Sequence, residues 1–385
     1  MLANRTIQVV FGDLTSNKKT LNNGLPQGSV LAPLLFSLYI SDMPDTESEK
    51  FGYADDWALA TKHRDMTETE TVLTRDLDIL GTYFRNWRLK PNPNKTEVSC
   101  FHLTNSLANA KLKVRFENQI LQHNKNPKYL GITLDRTLSY KEHLTKTAEK
   151  LKTRNNIIQK LCGTSWGSSA AVLRCSALGL VYSAAEYCAP VWLNSAHTSL
   201  IDVQLNHTMR IITGAIKPTP TSWLPILSHI PPPHLKRKKH LVREFTKIRE
   251  SQDLPIHGNT PDLQIQRLKS RHPPMTTAAS LHEEDFNLTD TWKSKWNEEA
   301  TDDMKKLPCI ADHPPGFNLP RKSWVTLNRI RTKFGKCGDL MFKWGINPSP
   351  ACNNCGAPKQ TITPHCDGMP FNFLQGKFRR FPKCN

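Results

Sequence analysis

Two adjacent aspartates, Asp55 and Asp56, have the surroundings of a metal-binding pair. They interrupt an apolar segment that runs from Phe51 to Ala60. This pattern predicts a strand, a turn and a second strand, with both carboxylates at the tip of a buried hairpin. Two carboxylates there would repel each other; a divalent cation would remove that repulsion, and hard oxygen ligands suit Mg²⁺. The alternative is a solvated turn, because roughly three adjacent acidic pairs are expected by chance in a chain with 34 acids.

A glycine-containing segment upstream of this pair has the composition of a phosphate-binding loop. It reads Gly24-Leu25-Pro26-Gln27-Gly28, and the pattern after it predicts an apolar helix from Val30 to Ile40. Glycine lets the backbone approach a ligand closely, and a helix N-terminus can face an anionic phosphate. The segment is therefore a candidate contact for a nucleotide, although a glycine loop alone is a weak signal.

Taken together, these segments resemble the palm of reverse transcriptases. Residues 24–28 resemble the family's glycine-proline-glutamine-glycine motif, and residues 53–56 resemble its tyrosine-x-aspartate-aspartate motif. Asn94-Lys95-Thr96 resembles the lysine-bearing motif after the palm helix, and Tyr129-Leu130-Gly131-Ile132 resembles the primer-grip hairpin. Four motifs in the family's order make the resemblance specific.

Downstream segments narrow the resemblance to jockey-type non-LTR retrotransposon polymerases. They are Trp166-Gly167, Leu178 to Leu193, Met209 to Gly214 and Trp324 to Thr332. The resemblance covers nearly all of the chain and is weakest over residues 251–301 and the last twenty residues. It implies an RNA-directed DNA polymerase that acts on an RNA template and a DNA primer, or on an RNA–DNA duplex.

The resemblance also implies roles for individual residues. Asp55 would be a metal ligand and Asp56 the supporting carboxylate of a two-metal Mg²⁺ site. Lys95 would neutralise or protonate the departing pyrophosphate, although an exposed lysine near a turn is an equally good interpretation. The remaining residues would contact template, incoming nucleotide or primer: Gly24, Pro26, Gln27, Gly28, Tyr53 and Ala54 for the first two, and Tyr129, Leu130 and Gly131 for the primer grip.

One expected carboxylate is missing from the pattern. The family has a further metal-binding aspartate on a palm strand upstream of the glycine motif, and the sole acid before Gly24 is Asp13, in a predicted turn from Gly12 to Asn17. We therefore expect an N-terminally truncated reverse transcriptase that does not polymerise by itself. The competing hypothesis is a non-catalytic nucleic-acid-binding remnant of the element.

The helices and strands predicted around these candidate site residues indicate an α+β fold. We expect a partial right-hand polymerase palm, without fingers or first catalytic strand, followed by a mostly helical thumb and C-terminal region. The palm helix is predicted from Asp65 to Trp87, where apolar residues recur every three or four positions. The predicted domains are the palm at 1–135, the helical thumb or connection at 136–235, a basic, polar linker region at 236–319 and a Cys/His-containing segment at 320–385.

The C-terminal segment has the residue types of a zinc knuckle. Cys352-x-x-Cys355 is followed by the adjacent pair His365-Cys366. Adjacent ligands point apart on an extended backbone, so Cys384 or Cys337 are alternative fourth ligands. We therefore predict a structural Zn²⁺ at these residues. The alternative is that the cysteines pack in a small core.

The overall charge favours a polyanionic partner. The chain has 385 residues and a formal net charge of +18. Lysines and arginines cluster on a predicted helix from Lys141 to Leu161 and at Lys236 to Lys239, where they would suit a template–primer duplex. A solvated helix face is the alternative for the first cluster, and a nuclear-localisation-like patch or unstructured linker for the second. No apolar stretch is long enough to cross a membrane, so we expect an intracellular protein, in nucleus or cytoplasm, that is not secreted.

Overall fold

The computed structural model describes residues 5–21, 24–26, 28–102, 104, 106–254, 256–257, 273–307, 310, 312–352 and 357–362. The chain divides into two units, Met1–Leu138 and Ser139–Asn385, called here the first and the second unit. The first unit mixes helices with strands, and the described part of the second unit is helical.

Short strands in pairs make up most of the first unit. Its strands are β1 (Arg5–Ile7), β2 (Val10–Phe11), β3 (Leu14–Thr15), β4 (Lys19–Leu21), β5 (Glu49–Tyr53), β6 (Asp56–Ala60), β7 (Glu97–Val98), β8 (Arg115–Phe116), β9 (Gln119–Ile120), β10 (Gln122–His123), β11 (Lys128–Tyr129) and β12 (Ile132–Thr133). Five pairs are antiparallel (β1–β4, β2–β3, β5–β6, β8–β9 and β11–β12), and β7 pairs with β10 in parallel. Each sheet formed by the described residues therefore has two strands.

Two helices hold these strand pairs. They are α1 (Ala32–Tyr39) and α2 (Met66–Asn86), which confirms both helices predicted from apolar spacing. The Asp65 carboxylate accepts the Thr67 N–H and so satisfies one of the free donors at the start of α2. Leu73 and Leu77 of α2 pack against a core around Val114 and Phe116. This core fixes α2 on the strands that follow it in sequence.

The second unit is a set of helices. They are α3 (Lys141–Gln159), α4 (Ala170–Ala177), α5 (Ser183–Ala185), α6 (Ala189–Trp192), α7 (Ser199–Thr213), α8 (Trp223–Ser228), α9 (Pro233–Glu250), α10 (Pro274–Glu283), α11 (Leu288–Glu299), α12 (Asp302–Lys305), α13 (Arg321–Thr332) and α14 (Gly338–Lys343). A π-helical segment, Leu178–Tyr182, joins α4 to α5. No helix among the described residues is both long and apolar enough to cross a membrane.

The core of the second unit lies between α3, α4 and α7. Leu144, Leu151 and Ile158 of α3 are completely buried there. A polar pair crosses the same interface, because the buried Asn155 accepts a hydrogen bond of 2.7 Å from Thr208 and donates to the Gln204 carbonyl at 3.1 Å. Both groups of the amide thus have partners, and the interface tolerates its polarity.

Part of the region predicted as a basic, polar linker, residues 236–319, is folded into helices. Helices α10 and α11 occupy this part of the chain. Ala278 and Leu281 pack against the aliphatic face of α9, and Trp292 packs in a separate core with Leu227 and Leu235. A few alanine and aromatic side chains suffice to bury these helices because the apolar surface they need is supplied by α8 and α9. Residues 258–272 lie outside the described part of the chain.

Candidate active site

The aspartate pair lies at the tip of the β5–β6 hairpin, as the strand-turn-strand pattern predicted. Tyr53 pairs with Asp56 at the end of the ladder, so Ala54 and Asp55 form a two-residue turn. Ala54 has φ 54°, in the left-handed region. A residue with a side chain adopts this region at a cost of about 1–2 kcal/mol, so the turn that presents Asp55 is locally strained. Both aspartates are exposed.

The expectation that this hairpin is buried is wrong. The side chains of Phe51 and Tyr53 are 43% and 67% exposed. One face of the hairpin is covered by its own indole: a Cβ atom on Gly52 would lie 2.6 Å from the ring of Trp57, its partner across the ladder. An apolar segment predicts burial only where another element packs on it, and here the cover on this face comes from within the hairpin.

A buried carboxylate on α2 holds the start of β5. The Asp76 side chain is fully buried and accepts the Ser48 N–H at 2.7 Å. Arg75 donates to Asp76 at 3.3 Å and to Glu47 at 2.6 Å. Burial alone would raise the pKa of Asp76, but the hydrogen bonds from Ser48 and Arg75 outweigh it and keep that pKa below its ordinary value. Asp76 therefore fixes the strand that leads to the aspartate pair.

Asp76 was missed by the sequence analysis, although a signal for it exists. It lies three residues after Leu73 and one before Leu77, on the face by which α2 packs onto the core. An acid on the buried face of an amphipathic helix must find donors. Its partner Ser48, 28 residues upstream, could not be identified from local pattern.

The primer-grip candidate is brought to the same hairpin. Residues 128–133 form the β11–β12 hairpin, with Leu130 at φ 45° and Gly131 at φ 83° in its turn. The Tyr129 hydroxyl donates to the Phe51 carbonyl at 3.2 Å. Burial raises the pKa of Tyr129, and the negative charge of Asp56 adds to the effect. Two motifs separated by about seventy residues in the chain therefore meet in space.

The glycine segment leads into α1 through a tight turn. Ser29 donates its N–H to the Pro26 carbonyl at 3.2 Å, and Gly28 lies at φ 82°, where glycine is favoured. Gly24 is also left-handed, at φ 79°, and its carbonyl accepts a hydrogen bond from Arg5. Gln27 lies outside the described residues.

Helix α2 connects this segment to the aspartate hairpin. The ring of Tyr39, the last residue of α1, lies edge-on to the Trp87 ring at 4.9 Å. Tyr83 donates to Asp42 at 2.7 Å, and burial together with Asp42 raises the pKa of Tyr83 to about 12. The C-terminal end of α2 thus holds α1, while Asp76 in its middle holds β5.

Lys95 is not brought to the aspartate pair. It lies in an exposed turn, where its N–H bonds to the Asn92 carbonyl at 3.0 Å. No hydrogen bond or ion pair among the described residues joins its side chain to Asp55 or Asp56. Its role in the reaction stays a prediction.

The hairpin tip offers two carboxylates, and both are suitable ligands for a hard cation. Asp55 and Asp56 offer the oxygen donors that Mg²⁺ prefers, on a tip open to solvent. Within the described residues, no group of three or more His, Cys, Asp or Glu side chains could hold a metal ion. Asp13 lies in the turn between β2 and β3, as predicted.

The zinc candidate lies mostly outside the described residues. This applies to Cys355, His365, Cys366 and Cys384. Cys352 is described, and its N–H bonds to the Ala357 carbonyl at 2.9 Å. Structural zinc therefore stays a prediction.

The two basic clusters of the second unit differ in how many charges are free. On α3, Lys146 pairs with Glu142 at 3.2 Å and Arg154 donates to the Leu180 carbonyl in the π-helical segment. Three further lysines of the helix, Lys141, Lys150 and Lys152, are exposed, and none of them forms an ion pair with a described residue. The exposed charge of α3 is therefore smaller than its sequence suggests.

Two of the four basic residues of the second cluster, Lys236 and Arg237, form ion pairs within the second unit. Lys236 pairs with Glu186 at 2.8 Å, and the buried Arg237 binds both carboxylate oxygens of Asp202 at 2.6 and 3.0 Å. The alternative of an unstructured linker is wrong for residues 236–239, because they form part of α9. Glu186 and Asp202 come from distant segments, so these pairs could not be read from the basic run itself.

Comparison with known proteins places these motifs in a family. Residues 2–134 match the family described as "Reverse transcriptase (RNA-dependent DNA polymerase)". The chain is 30% identical over 230 residues to the "Probable RNA-directed DNA polymerase from transposon BS" of Drosophila melanogaster, which covers 55% of this chain and 24% of that protein. It is 34% identical over 163 residues to the "RNA-directed DNA polymerase from mobile element jockey" of the same species, covering 40% and 17%.

A more distant likeness extends further along the chain. The "Retrovirus-related Pol polyprotein from type-1 retrotransposable element R1" of Bradysia coprophila is 21% identical over 362 residues, 90% of this chain and 34% of that protein. No solved structure gives a significant match. The chain spans about a quarter or less of the length of the first two relatives. Residues 2–134 thus match the reverse transcriptase family, and the chain is similar to RNA-directed DNA polymerases of retrotransposons.

Proposed function

We propose that residues 1–135 are part of a reverse transcriptase palm in which Asp55 and Asp56 are metal ligands for two-metal nucleotidyl transfer. The observation that carries the proposal is the β5–β6 hairpin, which presents two adjacent carboxylates to solvent within the family match. Bound Mg²⁺ would activate the primer 3′ hydroxyl and hold the nucleotide phosphates. Asp55 would be the ligand and Asp56 the supporting carboxylate.

The surrounding residues would orient the nucleic acid. The left-handed backbone at Gly24 and Gly28 leaves open space where a side chain would otherwise stand, so template and nucleotide can approach closely. The β11–β12 hairpin would hold the primer end beside the carboxylates, and the Tyr129 hydroxyl bonds this hairpin to β5. Lys95 would act on the departing pyrophosphate.

The proposed metal site can be tested with Fe²⁺ in place of Mg²⁺. With ascorbate and hydrogen peroxide, a bound Fe²⁺ ion cleaves the nucleic-acid strands nearest to it. We expect the 385-residue polypeptide to cleave a template–primer duplex in a narrow window at the primer 3′ end. The double variant Asp55→Asn/Asp56→Asn should lose at least about tenfold of this focused cleavage, since it removes the ligand oxygens.

The matched control for this test is Glu283→Gln/Glu284→Gln. It removes another pair of adjacent exposed acids, at the end of α10, and should leave the cleavage window unchanged. Focused cleavage that persists without the aspartates would contradict the assignment of Asp55 and Asp56. Loss in both variants would point to overall charge rather than to a site.

We further propose that residues 136–235 act as a thumb that binds the template–primer duplex through α3. Lys150 and Lys152 are exposed on this helix and form no ion pair with an acid in the described part of the chain. Each lysine that neutralises a phosphate releases counterions, which makes binding depend on salt. Folded helices α9 to α12 lie where the linker is predicted, and α13 packs on the end of α7 as part of the second unit.

Removal of these two lysines should flatten the salt dependence. For Lys150→Ala/Lys152→Ala we expect the slope of log affinity against log salt to fall by up to about 2. Fluorescence anisotropy of a labelled duplex at several salt concentrations measures this slope. Lys238→Ala/Lys239→Ala removes the same charge from α9 and serves as the control, with a smaller expected change. An equal or larger change in the control would show that the duplex binds through α9 rather than through α3.

A second candidate function is nucleic-acid binding without catalysis. It is favoured by the finding that only two carboxylates come together at the hairpin within the described residues, whereas a two-metal site normally uses a third. Binding through α3 does not depend on that carboxylate. Because we expect no primer extension from this polypeptide alone, Fe²⁺-directed cleavage that depends on Asp55 and Asp56 distinguishes the two functions.

A further inference from the structure

Tyr129 joins the two hairpins of the first unit that carry the proposed chemistry. Its hydroxyl donates to the Phe51 carbonyl at 3.2 Å. Phe51 lies on β5, two residues before Tyr53, and Tyr53 pairs with Asp56. A side chain of the β11–β12 hairpin is therefore bonded to the strand that presents the aspartates.

Both ends of this link are held by the fold. On one side, the turn at Leu130 and Gly131 closes the hairpin directly after Tyr129. Ile132 and Thr133 on the returning strand are 6% and 5% exposed, so the hairpin is anchored in the unit. On the other side, Asp76 holds the beginning of β5. A hydrogen bond between two anchored elements restricts their relative position.

The surroundings of the phenol keep it a donor. Partial burial and the charge of Asp56 both favour the neutral hydroxyl over the phenolate. A neutral hydroxyl can donate to a carbonyl, whereas a phenolate cannot.

We propose that Tyr129 is a positioning residue, whose hydroxyl holds the aspartate hairpin in register with the hairpin that grips the primer. The inference rests on the proposed function, and it adds what sets the distance between the primer end and Asp55 and Asp56. Tyr129 acts through the Phe51 carbonyl and does not touch the reacting groups. Loss of the Tyr129 hydroxyl should therefore make the position of the primer end less well defined, without weakening the binding of the duplex.

The test compares Tyr129→Phe with the unchanged polypeptide in Fe²⁺-directed cleavage of a template–primer duplex. We expect the cleavage window to broaden or shift, with the ratio of peak to background falling at least about threefold, since small displacements have large effects on reaction geometry. Duplex affinity, measured by anisotropy, should stay unchanged. Tyr187→Phe is the control, because it removes a phenol hydroxyl from an exposed side chain of the second unit.

A replacement of Tyr129 by 4-aminophenylalanine separates positioning from folding. Its N–H group restores a donor at the same place, so the narrow window should return. A window that is unchanged in Tyr129→Phe, while Asp55→Asn/Asp56→Asn abolishes it, would overturn the positioning role and leave the proposed function intact. A broadened window that the amino side chain does not restore would also overturn it. Absence of focused cleavage in the unchanged polypeptide would overturn both.

Discussion

A primer annealed to an RNA template is expected to stay unextended when the 385-residue polypeptide is supplied with Mg²⁺ and deoxynucleoside triphosphates. The reason is the carboxylate count. Asp55 and Asp56 lie together on the β5–β6 hairpin, and within the described residues no third acid joins them. Two-metal catalysis needs the ions held at a fixed separation, and each ion supplies several kcal/mol of stabilisation to the transition state. A loss of about 4 kcal/mol slows a reaction about 10³-fold.

The measurement must separate failed chemistry from failed binding. Anisotropy under the same conditions should show the duplex bound, so that the missing product reflects the site and not the affinity. Extension of the primer at a rate that Asp55→Ala abolishes, and that Glu283→Gln/Glu284→Gln leaves unchanged, would contradict the prediction. The polypeptide would then be a complete polymerase, with a third carboxylate supplied by residues outside the described part of the chain.

Replacement of Arg321 by alanine is expected to destabilise the second unit by about 3–5 kcal/mol. The Arg321 side chain is 6% exposed and donates to the carbonyls of Ile211 and Ile212 at 2.7 Å and of Gly163 at 3.0 Å. The first two carbonyls belong to the last turn of α7, whose partial negative charge favours a cation there. Burial lowers the pKa of Arg321, but a guanidinium stays protonated in proteins.

The rest of α13 continues the same cap. Trp324 and Asn328 donate to the carbonyls of Ile212 and Thr213 at 3.1 and 2.9 Å. Gly214 ends α7 at φ 71°, and a Cβ there would lie 2.3 Å from Val325. Truncation of Arg321 thus removes the guanidinium donors to the carbonyls of Ile211 and Gly163 and one of two side-chain donors to the Ile212 carbonyl.

Urea unfolding followed by circular dichroism measures this effect on the helices. Arg321→Lys should retain less than half of the lost stability, because one ammonium group cannot reproduce the planar fork that reaches three carbonyls. Lys322→Ala, at the neighbouring exposed position, should stay within about 0.5 kcal/mol of the unchanged chain. A destabilisation below about 1 kcal/mol for Arg321→Ala would show that water or other donors replace the guanidinium.

The same contacts explain two motifs that sequence comparison alone leaves unconnected. Residues 209–214 and residues 324–332 both belong to the retrotransposon resemblance, and the structure brings them together as the end of α7 and the helix that caps it. Their shared role is structural. The resemblance in this region therefore reports the folding of the second unit rather than a second site.

Local patterns predicted the long helices well and the short strands poorly. Helices α2 and α3 carry apolar residues at helical spacing, and their predicted ends lie within a few residues of the observed ones. Residues 115–120 form a short hairpin, because Glu117 and Asn118 take positive φ values of 47° and 62° and turn the chain. Two-residue strands hold too little pattern to be distinguished from a turn.

For the candidate site, the sequence by itself determined the residue types that do chemistry: the aspartate pair, the glycine turn and the primer-grip tyrosine. It could do so because these motifs are short and continuous in the chain. Only the tertiary structure decided that Tyr129 reaches Phe51, that Asp76 holds Ser48, and that two charges of the basic run are paired internally. These contacts join residues 28 to 78 positions apart, and a local pattern carries no information on which distant group will satisfy a buried or half-buried polar atom.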